Sequence, residues 1–120
     1  MNFNFIVLTD LLNNVFNFKK LLSSKDTIIW KNCKNIKITV FSKINKFEFD
    51  NCYNIKLTLD GTVSGLEINN SNLTLNLYSN HSISSLQLYK SDLIVKGSKN
   101  DFKKIHLINE ESTIKFINQN

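Results

Sequence analysis

One stretch of the chain is written twice. Residues 28–42 read IIWKNCKNIKITVFS and residues 47–61 read FEFDNCYNIKLTLDG. Both carry alternating apolar residues, then Asn-Cys, then Asn-Ile-Lys. The register continues beyond the pair. The doublets Ile28/Trp30, Phe47/Phe49, Leu66/Ile68, Leu86/Leu88 and Ile105/Leu107 recur at steps of 19, 19, 20 and 19. A second alternating run follows each one, at Ile36–Val40, Ile55–Leu59, Leu73–Leu77, Leu93–Gly97 and Ile114–Phe116, and a third apolar station comes at Ile44, Val63, Ile83 and Phe102. A period of two within each run is the signature of strands.

Short strands at a fixed period near nineteen, with three apolar stations per repeat, predict an all-β, single-domain parallel β-helix of about five to six coils. No coil can bury its inward side chains alone, so stacking makes the core. Helical repeats are excluded because they need longer periods and apolar spacings of three and four. A Greek-key sandwich fits the strand lengths, but the retained register of turn residues favours the coil. At one corner Asn32, Asn51, Asn70, Lys90 and Asn109 share a column, followed by Cys33, Cys52, Ser71, Ser91 and Glu110. Asparagine tolerates left-handed backbone and can stack its amide on the next coil. Cys33 and Cys52, one coil apart, are expected as packed thiols. The β-helix is assigned to residues 25–120. Residues 1–24 read either as an amphipathic helical cap, with Leu8, Leu11, Leu12, Val15, Phe16, Lys19 and Leu22 at helical spacing, or as an irregular first coil.

The chain of 120 residues carries nineteen Asn, fifteen Lys, no Arg and no Pro, with a net charge of +5. Such a bias fits an AT-rich coding sequence better than selection for lysine chemistry. Lysines are interleaved with apolar residues instead of clustered, which argues against nucleic acid as partner. The apolar N-terminus lacks a basic leader region and is broken by Asp10 and several Asn before it could cross a bilayer. Two cysteines without a secretory leader set the expectation of a reducing, cytoplasmic setting.

Chemistry-bearing constellations are sparse, and the chain is expected not to be an enzyme. Outward positions of the first strand read Ile29, Glu48, Glu67, Gln87 and His106, which puts Glu48 and Glu67 one coil apart. Paired carboxylates can hydrolyse glycosides, but five short coils offer no long subsite groove, so the pair reads as a solvated polar face. His81 and His106 have no Cys, Asp or His at ligand or triad spacing, and the three glycines form no phosphate cradle. No metal or cofactor is expected. The outward face of the second strand is more informative: Lys37, Lys56, Lys96 and Lys115 with Thr39, Thr58, Thr74 and Asn76 make a basic, hydroxyl-rich sheet suited to docking a protein.

The run from Lys31 to Ser98 resembles the C-terminal β-helical domain of cyclase-associated proteins. The resemblance is carried by the Asn-Cys corners, by KIN before FEFDNC, by GLEINNS and by ISSLQLYKSD. It implies binding of actin monomers, preferentially in the ADP form, and promotion of nucleotide exchange. The positions implied are Lys37, Asp50, Asn51, Lys56, Thr58, Glu67, Asn69 and Asn70, acting as polar contacts. The related tubulin cofactor C proteins work through an arginine finger, for which this chain has no residue. No cyclase-binding segment or proline-rich stretch is found. The family's C-terminal hairpin, exchanged between partners in a dimer, is missing after Asn120, so any homodimer is expected to be weakened. The alternative is a non-enzymatic β-helical scaffold subunit of a larger assembly, in keeping with the Phe- and Leu-rich N-terminus.

Overall fold

In the computed structural model, which describes residues 4–19, 23–78 and 81–118, strands pair only in parallel and each runs beside the strand one repeat away. The elements are β1 (Asn4–Thr9), β2 (Leu12–Phe18), β3 (Asp26–Lys31), β4 (Lys34–Val40), β5 (Lys43–Asp50), β6 (Tyr53–Leu59), β7 (Thr62–Asn69), β8 (Asn72–Leu77), β9 (Ser82–Tyr89), β10 (Asp92–Gly97), a short helix α1 (Lys99–Phe102), β11 (His106–Glu110) and β12 (Thr113–Asn118). Odd strands form one six-stranded sheet and even strands another. Each odd–even pair is one coil, and six coils stack into a parallel β-helix.

The interior is a set of columns. In the odd sheet, Ile28, Phe47, Leu66 and Leu86 stack in register, as do Trp30, Phe49, Ile68 and Leu88. In the even sheet the columns are Ile36, Ile55, Leu73, Leu93 and Ile38, Leu57, Leu75, Val95. All of these are buried. Ile44, Val63 and Ile83 supply the third station, at the bent leading ends of β5, β7 and β9. Aromatic rings fill the lower half: Trp30 stacks on Phe49 at 5.9 Å and meets Phe16 edge-on at 5.1 Å. Trp30 is fully buried and its Nε1 has no hydrogen-bond partner among the described residues, an uncompensated donor inside an otherwise apolar stack.

The Asn-Cys corner is built from two different devices. Asp10, Asn32, Asn51, Asn70, Lys90 and Glu111 all have positive φ, between 47° and 57°, and turn the chain from the odd to the even sheet. The next residue is a small plug. Cys33 and Cys52 point their thiols at the carbonyls of Lys31 and Asp50, each at 3.4 Å. Ser71, Ser91 and Ser112 do the same with hydroxyls, to Asn69, Tyr89 and Glu110 at 2.8–2.9 Å. Each serine also accepts the backbone N–H of the plug in the preceding coil. The amide ladder lies in a neighbouring column: Asn35 donates to Asn13 at 2.9 Å and Asn54 to Asn35 at 2.8 Å. Asn13, Asn35 and Asn54 also have positive φ. The later coils have no such extra residue, since Asn72 pairs with Asp92 and Leu73 with Leu93. The Asn72 carboxamide closes the ladder by accepting the Asn54 N–H. The duplicated motif therefore marks two left-handed residues per corner in the first three coils.

Three expectations are corrected. Of the two readings of residues 1–24 the helical cap falls: among the described residues β1 and β2 form a first coil, with Ile6 and Leu8 in register with Ile28 and Trp30, while Leu22 lies outside the described residues. Left-handed Asp10 and Asn13 break the strand alternation there, and the leftover apolar spacing mimics a helix. In the last coil Leu107, not Ile105, sits over Leu86, and Glu111 and Ser112, not Asn109 and Glu110, hold the corner. The insertion of α1 lengthens that return, and Ile105 is buried beside it. His106 consequently stands opposite Ser85, and Ile108 takes the place opposite Gln87.

The corner and the return differ in tolerance. Residues 31–34, 50–53, 69–72, 89–92 and 110–113 cross the corner in an identical step, and corners differ in length only by the one left-handed residue, Asn35 or Asn54, that follows it in the early coils. The return path from Thr39 to Phe47 is shorter than those from Asn76 to Leu86 and from Lys96 to Leu107. At the return of the third coil Gly61 is required: a Cβ there would stand 2.5 Å from the Ser42 carbonyl oxygen.

Candidate docking surface

The residues implied as contacts do not lie on one plane. Lys37 and Lys56 stack in register on the outer face of the even sheet, beside the Thr39–Thr58 pair. Thr74 and Ile94 continue the Lys56 column before Lys115 resumes it, and Lys96 belongs to the Thr58 column, after Asn76. Asn76 donates to the Thr58 hydroxyl at 3.3 Å. Asp50, Glu67 and Asn69 instead lie on the outer face of the odd sheet. Asn51 and Asn70 are exposed on the left-handed corner between the two faces. The candidate surface is thus a basic, hydroxyl-bearing face and an acidic face joined at the asparagine corner. The two faces are separate because the corner turns the chain after Asp50.

The acidic face has an organisation of its own. Parallel in-register pairing puts Glu48 directly beside Glu67 and Asp50 beside Asn69. Asn69 donates its amide to the Asp50 carboxylate at 2.9 Å. Lys46, on the same strand as Glu48, reaches both glutamates, 3.6 Å from Glu48 and 3.5 Å from Glu67. Its stem lies over Gly65, where a Cβ would stand 3.5 Å from the Lys46 Cγ. A hydrogen bond with Glu67, partial burial, and the hydrogen bond and charge of Asp50 push Glu48 up to about 7 from an ordinary 4.5.

Lys46 and Gly65 were not singled out from the sequence. The signal was there: KFE and GLE fall in the same phase, so a glycine faces the lysine one coil away. Beside the corner, Tyr53, Asn70, Ser71, Asn72, Lys90 and Asp92 line a shallow hollow of about 200 Å³. Cys33 and Cys52 are both free and buried, and desolvation, chiefly, pushes the Cys52 thiol up to about 11. His81 turns its Nδ1 to the Tyr78 carbonyl at 2.6 Å. Among the described residues no cluster of His, Cys, Asp and Glu is arranged to hold a metal, and no helix is long and apolar enough to cross a membrane.

The family model described as adenylate cyclase associated (CAP) C terminal matches residues 19–95. The chain belongs to that family. The matched span of the CAP C-terminal domain runs from the end of β2 into β10, so it contains the second to fifth coils and all eight candidate contacts. The register of those coils is also where the corner plugs and the Lys46–Glu48–Glu67 cluster sit. No curated protein matches the chain.

Proposed function

We propose that this domain binds actin monomers, prefers the ADP-bound form and promotes exchange of its nucleotide, with no covalent chemistry of its own. The observation that carries the reading is the family match across the four coils that hold the candidate contacts. The geometry supports it physically. Stacked strands present Lys37, Lys56 and Thr58 from a rigid backbone, which is a platform for a protein and not a pocket for a small molecule. Actin is acidic, so a lysine-bearing face is complementary to it, and exchange would follow from favouring an open nucleotide cleft.

The test is titration of ADP-actin monomers combined with release of a fluorescent nucleotide. Binding should weaken with rising salt. Lys56→Glu should cost about 1–2 kcal/mol of binding while leaving the melt unchanged, because the side chain is exposed and the change adds repulsion. Lys19→Glu, on the exposed end of the first coil, should bind like wild type. Wild-type protein that neither binds nor accelerates exchange would overturn the reading.

A scaffold role in a larger assembly is favoured by one specific observation. The first coil exposes Phe5, Val7, Leu12 and Val15 at 51–70%, an apolar surface suited to cover by a neighbour. Recovery from native extract of a defined complex lacking actin would select it.

A further inference from the structure

We propose that Glu48 and Glu67 form a proton-sharing pair on the outer face of the odd sheet, and that its protonation tunes how an acidic partner docks on that face and the adjoining corner. The docking half rests on the actin reading above; the proton sharing rests on the domain alone.

The geometry carries it. The two carboxylates are register partners on adjacent parallel strands, held side by side by the backbone pairing of β5 and β7. Both are largely covered, at 21% and 23% exposure, so water screens them incompletely. Every group facing Glu48 can be named. Its own strand contributes Lys46 and Asp50, β7 contributes Gly65, Glu67 and Asn69, and β3 contributes Thr27, Ile29 and Lys31, with Lys31 opposite Asp50. On the far side Glu67 meets the neutral Gln87. Only Lys46 touches the pair as a cation within salt-bridge distance among the described residues, and its stem lies over Gly65. With both glutamates ionised, one ammonium serves two carboxylates. One shared proton relieves that excess and replaces a repulsion by a hydrogen bond.

The consequence has a definite sign. Protonation removes one negative charge from a face that also carries Asp50, so an acidic partner meets less repulsion as pH falls through neutrality. The same linkage touches stability. The folded state holds its proton more tightly than the unfolded chain between 4.5 and about 7, so folding stability falls as pH rises through that window.

The test uses the intact domain. Carboxyl NMR should show Glu48 titrating near neutrality in wild type. The Glu48→Gln melt should rise above wild type at about pH 8 and converge with it near about pH 4.5. Titration of ADP-actin should tighten roughly two- to fivefold from about pH 8 to about pH 6, and Glu48→Gln should remove most of that dependence while binding at high pH like wild type at low pH. Glu48 titrating at its ordinary value overturns the proton sharing whatever actin does. Near-neutral titration with the same pH dependence of binding in wild type and Glu48→Gln overturns the docking half. Wild type that binds actin at no pH sinks the docking half together with the actin reading, while the NMR still decides the pair.

Discussion

The first and third coils share one register, yet they place apolar side chains differently. In the third coil Phe47, Phe49, Ile55, Leu57 and Leu59 are buried inward, while Glu48, Asp50, Lys56 and Thr58 face out. In the first coil the inward set Ile6, Leu8, Phe16 and Phe18 is only partly covered, and the outward set includes Phe5, Val7 and Val15. A coil with neighbours on both sides buries one face of each strand and wets the other. The end coil has a neighbour on one side only, and here it is apolar on both faces. Strand alternation therefore records not only which way a side chain points but whether the coil is flanked.

The largest effect should separate these coils by an inward charge and an outward one. Ile68→Asp buries an unpaired carboxylate between Phe49 and Leu88 and should cost several kcal/mol, on the order of the domain's whole stability. Val7→Asp, on the outer face of the first coil, should change stability by less than about 0.5 kcal/mol. Urea denaturation reads both, and similar losses would break the comparison.

A finer test stays inside the core. Phe49→Ala leaves a cavity against Trp30 and Phe47 and should cost about 3–5 kcal/mol. Phe16→Ala removes a ring that is already partly exposed, so the loss should be roughly half as large. The same denaturation measurement ranks them, and Phe16 costing as much as Phe49 would mean that the first coil is packed like the centre.

The smallest effect concerns the corner plugs. Both cysteines are buried, so a native-state thiol titration should give two slow groups that react fully in denaturant. Because the Cys52 thiol is raised from 9.0 to about 11, the folded state keeps its proton longer than the unfolded chain, and stability should fall between those two pH values. Rapid native labelling of Cys33 with Cys52 still protected would place the looseness of the first coil as far in as its neighbour.

Much of this was legible in the residues. Phe49, Ile68 and Leu88 declare an inner column because the trailing halves of β5, β7 and β9 keep a strict period of two with Phe47, Leu66 and Leu86. Asn32, Asn51 and Asn70 declare a corner because left-handed backbone selects asparagine. Legibility fails where conformation is set by residues that do not repeat. Lys90 and Glu111 take left-handed backbone without the expected side chain, and α1 shifts the last coil with no matching element in any other coil. The docking surface was half legible. Lys37, Lys56, Glu67 and Asn69 could be phased as outward, but which face each belongs to depends on the corner between them. The reach of Lys46 across Gly65 exists only once two strands lie side by side.

The unequal seams of the coil have a consequence for how the chain can change length. At the asparagine corner the chain absorbs a single residue: the first three coils carry a second left-handed asparagine, Asn13, Asn35 or Asn54, that the later coils lack, and the inner columns stay in register, with Ile55 beside Leu73. On the return side the chain already carries α1 between Ser98 and Ile105, and the columns resume undisturbed at Leu107 and Ile114. The corner thus takes up one residue held in left-handed backbone, and the return takes up a whole turn of helix. Foreign segments grafted into the return between β10 and β11 should ride on the outside as cargo, whereas the corner has room for one left-handed residue at a time.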